Sequence, residues 1–337
     1  MLGFLYALLG LSIAAVLDVA LGDPPTKFHP VGWQGRYIDY LWSRRLAAQG
    51  KPAGLFVWGL VIVVTGLVLT TMGAGFLQWA AADLRRSGGG GYGWARLMFA
   101  SMLCGFVLKG TFSFSGLMKA GASVEAALNV GDLESARDST AYHLVSRPTA
   151  DLSESEVCSA TLESLSENLT DSVAAPLIYY ALGGVTTAWC YRFVNTADAM
   201  LGYRDGDKEW GGKAAARLDD VLSWLPARLS GFLVVLACLP SGADARGAIR
   251  VVKDDAKCVP SPNSGWTMAA AAGALGVRLE KTDTYVLNPQ GRLPRSDDIR
   301  RLSSLLRWSL FFLYLTCIGV IAMVKIPLMG FFNLPKV

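Results

Sequence analysis

Three carboxylates near the middle of the chain are spaced so that a helix would stack them on one face. Glu163, Glu167 and Asp171 lie four residues apart, immediately before an apolar segment at 173–194. Residues four apart on a helix lie one above another, and like charges there oppose helix formation. We therefore expect a cation, either an Arg or Lys side chain or a metal ion, to offset this acidic ladder.

Other polar side chains beside apolar segments fall into two chemical groups. The oxygen donors are Asp23, Glu163, Glu167, Asn168, Asp171, Asp198, Asp219 and Asp220. The cations are Lys27, Arg36, Arg147, Arg204, Arg217 and Arg228. Carboxylates suit Mg²⁺, which takes one or two of them together with phosphate and water oxygens, and arginine suits phosphate. The two groups predict a site for an anionic, phosphorylated substrate; the competing interpretation is that these charges pair and tie helices together.

Several other chemistries are excluded. The six cysteines form no CxxC pair and there are two histidines, which excludes a multi-histidine metal centre and argues against a zinc site. No Walker A motif is present, because Gly212-Lys213 is followed by Ala. The GxGxxG match at 88–93 has no preceding strand, so it predicts a flexible turn. No Lys/Arg run indicates a nucleic-acid partner.

Membrane helices must position these residues. The chain is 52% hydrophobic and 17% charged, whereas soluble domains carry about 25% charged residues. The predicted membrane segments are 2–21, 53–82, 94–114, 173–194, 221–239 and 310–324. Pro, Gly or Arg interrupts 173–194 and 221–239, so we expect one or both to be broken, re-entrant or buried. The fold class is therefore predicted to be an all-α, polytopic helical membrane protein with five to six membrane segments and polar helical cytoplasmic insertions.

The sequence divides into five regions. They are 1–118 with a Pro/Gly-rich loop at 22–36, a polar helical insert at 119–172 that carries the ladder, broken membrane segments at 173–240 with a charged loop at 195–220, a basic loop region at 241–307, and a last span at 308–337. Within the insert, helix starts are predicted at Asp132 and at the capping box Ser153-Glu-Ser-Glu156.

Charge asymmetry predicts which loops are cytoplasmic. The loops at 22–52 and 241–307 carry five and eleven Lys/Arg residues, and the positive-inside rule places both in the cytoplasm. If the segments at 173–194 and 221–239 both cross, however, loop 195–220 falls on the opposite side from the acidic ladder. A plain six-span count therefore conflicts with a single site.

Motif-like blocks follow one another between about residues 15 and 280. They are Asp18-x-x-Leu-Gly-Asp23-Pro with His29-Pro-Val and Gly35-Arg36; Asp132-Leu-x-x-Ala-Arg137; Glu163-x-x-x-Glu167-Asn168-Leu-x-Asp171-x-Val-x-Ala-Pro176; Asn195-Thr-x-Asp198-x-Met-x-Gly202-Tyr203-Arg204; Ala216-Arg217-Leu-Asp219-Asp220 with Pro226-Ala-Arg228-Leu; and Asp244-Ala-Arg246-Gly with Ser261-Pro-Asn263-x-Gly-Trp266. In this order they resemble the adenosylcobinamide-phosphate synthase family, the CobD/CbiB type of cobalamin biosynthesis.

The resemblance implies a multi-pass enzyme of the cell (inner or plasma) membrane with cytoplasmic active-site loops. It implies a carbon–nitrogen ligase that joins aminopropanol phosphate, or a related amine, to a propionate carboxylate of adenosylcobyric acid, a corrinoid, giving adenosylcobinamide phosphate. ATP is expected as a substrate and Mg²⁺ as a cofactor. The expected partners are both substrates, the lipid bilayer and other cobalamin-pathway enzymes.

Site roles follow from this resemblance. The catalytic candidates are Asp23, His29, Glu163 and Glu167. The substrate- and phosphate-binding candidates are Lys27, Arg36, Arg147, Asn195, Asp198, Arg204, Arg217, Arg228 and Asn263. The metal candidates are Glu163, Glu167, Asn168, Asp171, Asp219 and Asp220. A carboxylate is a poor electrophile and must be activated, as an acyl phosphate or an acyl adenylate; the base that deprotonates the amine is Asp23, His29 or a ladder carboxylate.

Three positions depart from the family pattern. Pro148 follows Arg147 where the family usually has Asp, Ser172 replaces a Gly, and Glu280-Lys281 replaces Gly-Gly. They leave open an altered amine substrate or a divergent paralogue. Two other functions also stay open: a transporter for an anionic metabolite, and an inactive scaffold for pathway enzymes. The chain shows no internal repeat of the kind common in transporters.

Overall fold

The computed structural model describes residues 2–25, 27–45, 50–86 and 93–326. Its helices and strands are α1 (Leu2–Leu21), α2 (Pro30–Trp42), α3 (Pro52–Arg86), α4 (Gly93–Lys109), α5 (Phe114–Asn129), α6 (Leu133–His143), α7 (Glu154–Leu169), a π-helical turn (Thr170–Ala174), α8 (Ala175–Gly183), α9 (Val185–Leu201), α10 (Lys208–Gly211), α11 (Lys213–Leu222), α12 (Trp224–Ser241), α13 (Ala245–Asp255), α14 (Gly265–Leu275), β1 (Leu279–Lys281), β2 (Tyr285–Leu287) and α15 (Ser296–Lys325). Most of the predicted glycine-rich turn at 88–93 lies outside the described residues.

Five stretches among the described residues are long and apolar enough to cross a membrane. They are Leu2–Leu21, Pro52–Arg85, Gly93–Asn129, Trp224–Ser241 and Ser296–Lys325. The two described strands form only a short antiparallel hairpin. The predicted class, an all-α polytopic membrane protein with five to six membrane segments, is confirmed.

Internal contacts divide the chain into two compact units, each discontinuous in sequence. The first unit comprises Met1–Ser113, Ala175–Leu222 and Thr316–Val337. The second comprises Phe114–Ala174 and Ser223–Leu315. The predicted loops at 22–36 and 195–220 therefore belong to the first unit, and the acidic ladder belongs to the second.

The core of the first unit lies where α2, α3, α9 and α11 meet. Ile38, Ile62, Phe193 and Val194 are buried there together. Trp58 joins this core and donates from its Nε1 to the Leu41 carbonyl over 3.0 Å. Burying an indole with its N–H bonded avoids the cost of an unpaired donor.

The apolar segment at 173–194 does not form one spanning helix. It is broken at Gly184, which adopts φ 85° and ψ −162° between α8 and α9. The two helices pack on each other, because the rings of Tyr179 and Tyr191 stack at 5.2 Å and Thr187 Oγ1 donates to the Tyr179 carbonyl over 2.6 Å. α8 and α9 therefore form a helical hairpin with its turn at Gly184.

Within the described residues, 173–194 is not among the five stretches that are long and apolar enough to cross a membrane. It is interrupted at Gly184, as the sequence led us to expect. The side of the membrane on which 195–220 lies stays a prediction.

The second unit is built around α7, which is buried along its middle on every face. Residues 157–166 are all buried. Small side chains make this possible, and their hydroxyls bond within the helix: Thr161 Oγ1 donates to the Val157 carbonyl and Ser166 Oγ to the Leu162 carbonyl. The side chains that point from α7 are therefore held firmly by their surroundings.

Both predicted helix starts in the insert are confirmed. Asp132 caps α6 by accepting a bond from the Ser135 backbone N–H over 2.9 Å. Glu156 accepts a bond from the Ser153 backbone N–H over 2.8 Å at the start of α7. These bonds satisfy backbone donors that a helix start leaves unpaired.

Gly184→Ala is expected to lower the melting temperature of the detergent-solubilised protein. Its Cβ would lie 2.5 Å from Gln78 Oε1, and the φ and ψ of Gly184 are essentially restricted to glycine, with a cost of about 3 kcal/mol. Gly131→Ala is the matched control, since Gly131 has φ 77° and open space around it, and it should cost about 1 kcal/mol. Equal melting shifts would contradict the tight hairpin turn.

Candidate functional site

Glu163 is the most enclosed member of the acidic ladder. Its Oε2 accepts a hydrogen bond from the Tyr285 hydroxyl at 2.6 Å, and its Oε1 accepts one from the Ser159 hydroxyl at 2.8 Å. Burial raises the pKa of Glu163 above its usual value, although both hydrogen bonds and the charges of Arg147 and Lys281 oppose the shift. Glu163 is therefore a positioned carboxyl group with both oxygens engaged.

The cations expected beside the ladder are present within the second unit. Arg147 and Lys281 both act electrostatically on Glu163. Arg147 also faces Glu156 and Tyr285. Protein side chains thus supply at least part of the compensation that the like-charged ladder requires.

The motif around Asp132 and Arg137 holds the loop that carries Arg147. Arg137 Nε donates to the Leu152 carbonyl over 2.7 Å, and Thr149 Oγ1 donates to the Arg137 carbonyl over 3.0 Å. On the other side, Ser164 Oγ of α7 donates to the Leu144 carbonyl over 2.7 Å. This motif is structural, and it presents Arg147 toward α7.

A π-helical turn interrupts the ladder after Glu167. It covers Thr170–Ala174 and contains Asp171. In a π-turn the hydrogen bonds join residues five apart, so the strict spacing of four is lost there, and such turns are frequent at functional sites. Ser172 Oγ donates to Asn168 Oδ1 over 2.8 Å across this turn. Ser172, one of the departures from the family pattern, thereby restrains the Asn168 amide.

The residues that hold Glu163 are not among those predicted from the sequence. Tyr285 comes from β2 and Ser159 from one turn earlier on α7. Ser159 Oγ also accepts a hydrogen bond from the Glu280 backbone N–H over 2.9 Å, which fastens the β-hairpin to α7. Tyr285 lies 122 residues beyond Glu163 in the chain, and no spacing rule connects them. The one available signal was the departure at Glu280-Lys281.

Arg228 and Asn263 form a second polar contact in the second unit. Arg228 Nη1 donates to Asn263 Oδ1 over 3.1 Å. The guanidinium also lies over the rings of Trp224 and Trp266, 4.2 and 4.8 Å from their centroids. Two predicted binding residues are thus brought together, but Arg228 is already stacked between aromatic rings.

In the first unit, Asp23 is held by a buried lysine. Lys109 Nζ lies 2.6 Å from Asp23 Oδ1, 3.0 Å from Asp18 Oδ1 and 3.1 Å from the Phe112 carbonyl. Ser113 also donates to Asp23 Oδ2. Burial alone would raise the pKa of Asp23, but the hydrogen bonds from Lys109 and Ser113 hold it below its usual value. Lys109 is itself buried.

His29 begins α2 and lies near Asp23. Its Nδ1 accepts a hydrogen bond from the Val31 backbone N–H over 3.2 Å, which caps the helix. Burial lowers the pKa of His29 from its usual value, and Asp23 opposes that shift. Lys27 and Arg36, by contrast, are exposed, and within the described part of the chain neither forms an ion pair.

A second acidic group of the first unit lies on α9 and α11. Asn195 Nδ2 donates to Asp219 Oδ1 over 3.4 Å, and Asp219 is buried. Asp220 acts on the nearby Asp198, whose pKa rises to about 6 because of burial and of this neighbour. Burial raises the pKa of Asp220 as well, while Arg217 and Arg204 lower it. Six predicted residues are thus brought together: Asn195, Asp198, Arg204, Arg217, Asp219 and Asp220.

Mg²⁺ is the ion that the sequence patterns imply. Within the described ranges of the chain, no three His, Cys, Asp or Glu side chains are arranged to hold a metal ion. Mg²⁺ needs only one or two protein carboxylates when phosphates and water supply the rest. Half-buried Glu167 and Asp171, beside the Asn168 amide oxygen, fit that smaller requirement. Glu163 fits it less well because its carboxyl group is buried.

The comparisons with known proteins point to one family. The family model described as CobD/Cbib protein matches residues 11–306. The chain is 38% identical over 277 residues to the "Probable cobalamin biosynthesis protein CobD" of Methanothermobacter thermautotrophicus, covering 82% of this chain and 85% of that protein. It is 36% identical over 291 residues to the "Cobalamin biosynthesis protein CobD" of Dehalococcoides mccartyi, covering 86% and 87%. No solved structure matches the chain.

The chain belongs to the CobD/CbiB family. It is therefore a membrane-helical enzyme of cobalamin biosynthesis. The family match includes the residues around Asp23 and the group from Asn195 to Asp220 in the first unit, and the acidic ladder in the second. The resemblance inferred from the motif blocks is confirmed.

Tyr285→Phe tests how this CobD/CbiB protein holds Glu163. Removing the hydroxyl leaves Glu163 Oε2 buried without that donor, which should cost about 1–3 kcal/mol of unfolding free energy. The measurement is thermal or denaturant unfolding of the purified full chain. Tyr142→Phe is the control, because Tyr142 is 85% exposed and should leave stability unchanged. A Tyr285→Phe protein as stable as the parent would contradict the proposed network.

Asp198→Asn is expected to stabilise the protein at high pH. The folded-state pKa of Asp198, about 6, lies above the usual value of 3.8, so folding favours the protonated form and the carboxylate costs stability as pH rises through 6. Asn is neutral throughout. The gain should be near zero at pH 4 and reach up to roughly 3 kcal/mol at pH 8.

Melting temperatures across that pH range measure the effect. The exposed Asp205→Asn variant serves as the control and should show no such trend. A gain for Asp198→Asn that is the same at pH 4 and pH 8 would refute the buried-carboxyl assignment.

Proposed function

We propose that this protein is an ATP- and Mg²⁺-dependent amide ligase of the cell membrane. It would join aminopropanol phosphate, or a related amine, to a propionate carboxylate of adenosylcobyric acid and release adenosylcobinamide phosphate. Family membership supports the pathway. The observation that carries the ligase chemistry is the ladder of α7, where a π-turn, two half-buried carboxylates and Arg147 occur together.

Amide formation from a carboxylate requires activation. In the proposed sequence a propionate oxygen attacks the γ-phosphorus of ATP, ADP leaves, and an acyl phosphate forms. The amine nitrogen then attacks the acyl carbon, phosphate leaves, and a base takes the proton. Attack at the α-phosphorus would instead release pyrophosphate, so identifying ADP or AMP as the product separates the two routes.

The residues of the second unit suit the nucleotide half of this reaction. We assign Glu167 and Asp171 to Mg²⁺, which when bound neutralises charge on the nucleotide phosphates. Arg147 would stabilise charge on the transferred phosphoryl group. Glu163, held by Tyr285 and Ser159, would orient this face of α7.

The residues of the first unit suit the phosphorylated amine. Arg204 and Arg217 are exposed guanidinium groups beside Asp198 and Asp220, and guanidinium binds phosphate in a bidentate manner. The base remains one of Asp23, His29 or a ladder carboxylate. Asp23 has a lowered pKa and is therefore an ionised but weak base near neutral pH. Burial favours neutral His29, which would have to release the Val31 N–H from its Nδ1 to take the proton there. The active-site loops would face the cytoplasm, where ATP is available.

A transporter is the second candidate, because charged residues lie beside membrane helices. The observation that favours it is the break at Gly184 between α8 and α9, because transport proteins also use interrupted membrane helices. Uptake of substrate into liposomes without ATP turnover would support transport. Nucleotide-dependent amide formation by the purified protein would support the ligase.

Glu167→Gln should abolish Mg²⁺-dependent product formation. Losing one charged ligand of a Mg²⁺–nucleotide site should reduce turnover by about 100-fold or more. The assay measures adenosylcobinamide phosphate and ADP released by protein in nanodiscs at saturating ATP.

Glu134→Gln is the matched control, an exposed Glu on α6 that should keep full activity. Both variants should insert into membranes and melt as the parent does. Near-normal turnover by a well-folded Glu167→Gln protein would remove the ladder from the proposed metal site.

A further inference from the structure

A cavity of about 900 Å³ lies within the first unit. It is lined by residues of α1, α2, α3, α4 and α9 and of the Pro/Gly-rich loop. Its walls are mainly apolar and include Leu17, Leu69, Leu77, Phe106, Trp189 and Phe193. Trp189 Nε1 donates to the Val107 carbonyl over 3.0 Å, so the indole adds no unpaired donor to the cavity. Of the residues assigned to the proposed reaction, Asp23 is the one that lines this space, as one of the candidate bases.

Glycines on α3 create the cavity. A Cβ added to Gly66 would lie 1.9 Å from the Phe193 ring. Only glycine at this position therefore allows the Phe193 ring to pack against α3 and form one wall of the cavity. Gly73, two turns further along α3, also lines the cavity, and a Cβ there would meet no atom within 4 Å. Gly73 therefore faces open space, which a ligand can fill.

The cavity lies where lipid would surround the protein. α1, α3 and α4 belong to the stretches long enough to span a membrane. Phe106 and Leu69 line the cavity but are 70% and 58% exposed, so the cavity opens through the apolar outer surface. Along α3 it extends from Gly66 to Leu77, roughly 16 Å, which is about one leaflet of a bilayer core.

One end of the cavity is polar and lies at the membrane surface. Asp23 lines it two residues beyond the end of α1, at the depth of lipid headgroups. Gln34 also lines it, and its buried Oε1 has no hydrogen-bond partner among the described residues. Lys109 already faces three acceptors. The carboxylates of Asp18 and Asp23 both face that ammonium, and each carboxylate oxygen can accept more than one hydrogen bond.

We propose that this cavity binds a membrane phospholipid whose headgroup ends in a primary ammonium. Its hydrocarbon chain lies against α3, and its ammonium donates hydrogen bonds to Asp23 and Gln34.

The chemistry of the polar end selects this headgroup. An anionic headgroup such as phosphoglycerol has no ammonium to place against the Asp23 carboxylate, so it forgoes that charge-assisted hydrogen bond. A quaternary ammonium carries the same charge as a primary one but has no N–H to donate, so it leaves Gln34 Oε1 unpaired. A small soluble amine would leave most of the apolar wall uncovered, whereas an acyl chain covers it.

The test measures bound lipid rather than turnover, so it is independent of the proposed ligase activity. The full chain is reconstituted in nanodiscs with equal amounts of phosphatidylethanolamine, phosphatidylcholine and phosphatidylglycerol that share the same acyl chains. After extraction into mild detergent, native mass spectrometry counts the lipids retained. Phosphatidylethanolamine should be retained about tenfold more than phosphatidylcholine, as expected for one lost charge-assisted hydrogen bond.

Gly73→Leu should remove the retained lipid, because its side chain occupies the open space. Gly319→Leu is the matched control: Gly319 is also on a membrane-spanning helix and meets nothing within 4 Å, but it does not line the cavity. Gln34→Leu keeps the cavity and should abolish the preference for phosphatidylethanolamine. Equal retention of the three lipids by the parent protein, or unchanged retention by a folded Gly73→Leu protein, would overturn the proposal.

Discussion

The first unit depends on one ammonium group placed where membrane helices leave little water. Lys109 ends α4 and is buried, and it lies within 3.0 Å of Asp18 on α1 and of Asp23 in the loop. Removing one partner from a buried charge pair typically costs about 3–5 kcal/mol, because the remaining charge is left uncompensated. The three residues are therefore required together, and they join α1, α4 and the Pro/Gly-rich loop at one point.

The second unit solves a related problem with neutral donors. Glu163 is buried, yet its two oxygens are bonded by the hydroxyls of Tyr285 and Ser159 rather than by a direct ion pair. Burial then raises the pKa of Glu163, whereas Lys109 keeps that of Asp23 low. The pKa values of these two carboxyl groups are thus shifted in opposite directions. The difference comes from the partners that tertiary folding supplies.

Much of the fold was predictable from local pattern. Long apolar runs indicated the membrane helices, and cap residues such as Asp132 and Glu156 indicated helix starts, because both signals act within a few residues. The need for cations beside the ladder was also predictable from charge alone. The division of the predicted site residues between two units was not, since it depends on which distant segments pack together.

The remaining features depend on contacts far apart in sequence. Tyr285 reaches Glu163 across 122 residues, and periodicity holds no information about such a pair. The hairpin of α8 and α9 was only a possibility in the sequence, because Gly184 breaks a run whose hydropathy still resembles a span. The cavity was missed because a glycine facing open space, such as Gly73, looks in sequence like any other helix glycine.

The π-turn at Thr170–Ala174 also makes the acidic face sensitive to chain length. A π-turn accommodates one residue more than an α-turn over the same rise. Loss of a single residue there would let the segment return to regular α-helical winding. The remaining acidic side chains would still match those of the family in type. Asp171 would then point in a different direction relative to Glu167. Alignments of this segment should therefore be judged by whether they insert or delete a residue, and not only by whether the acidic residues match.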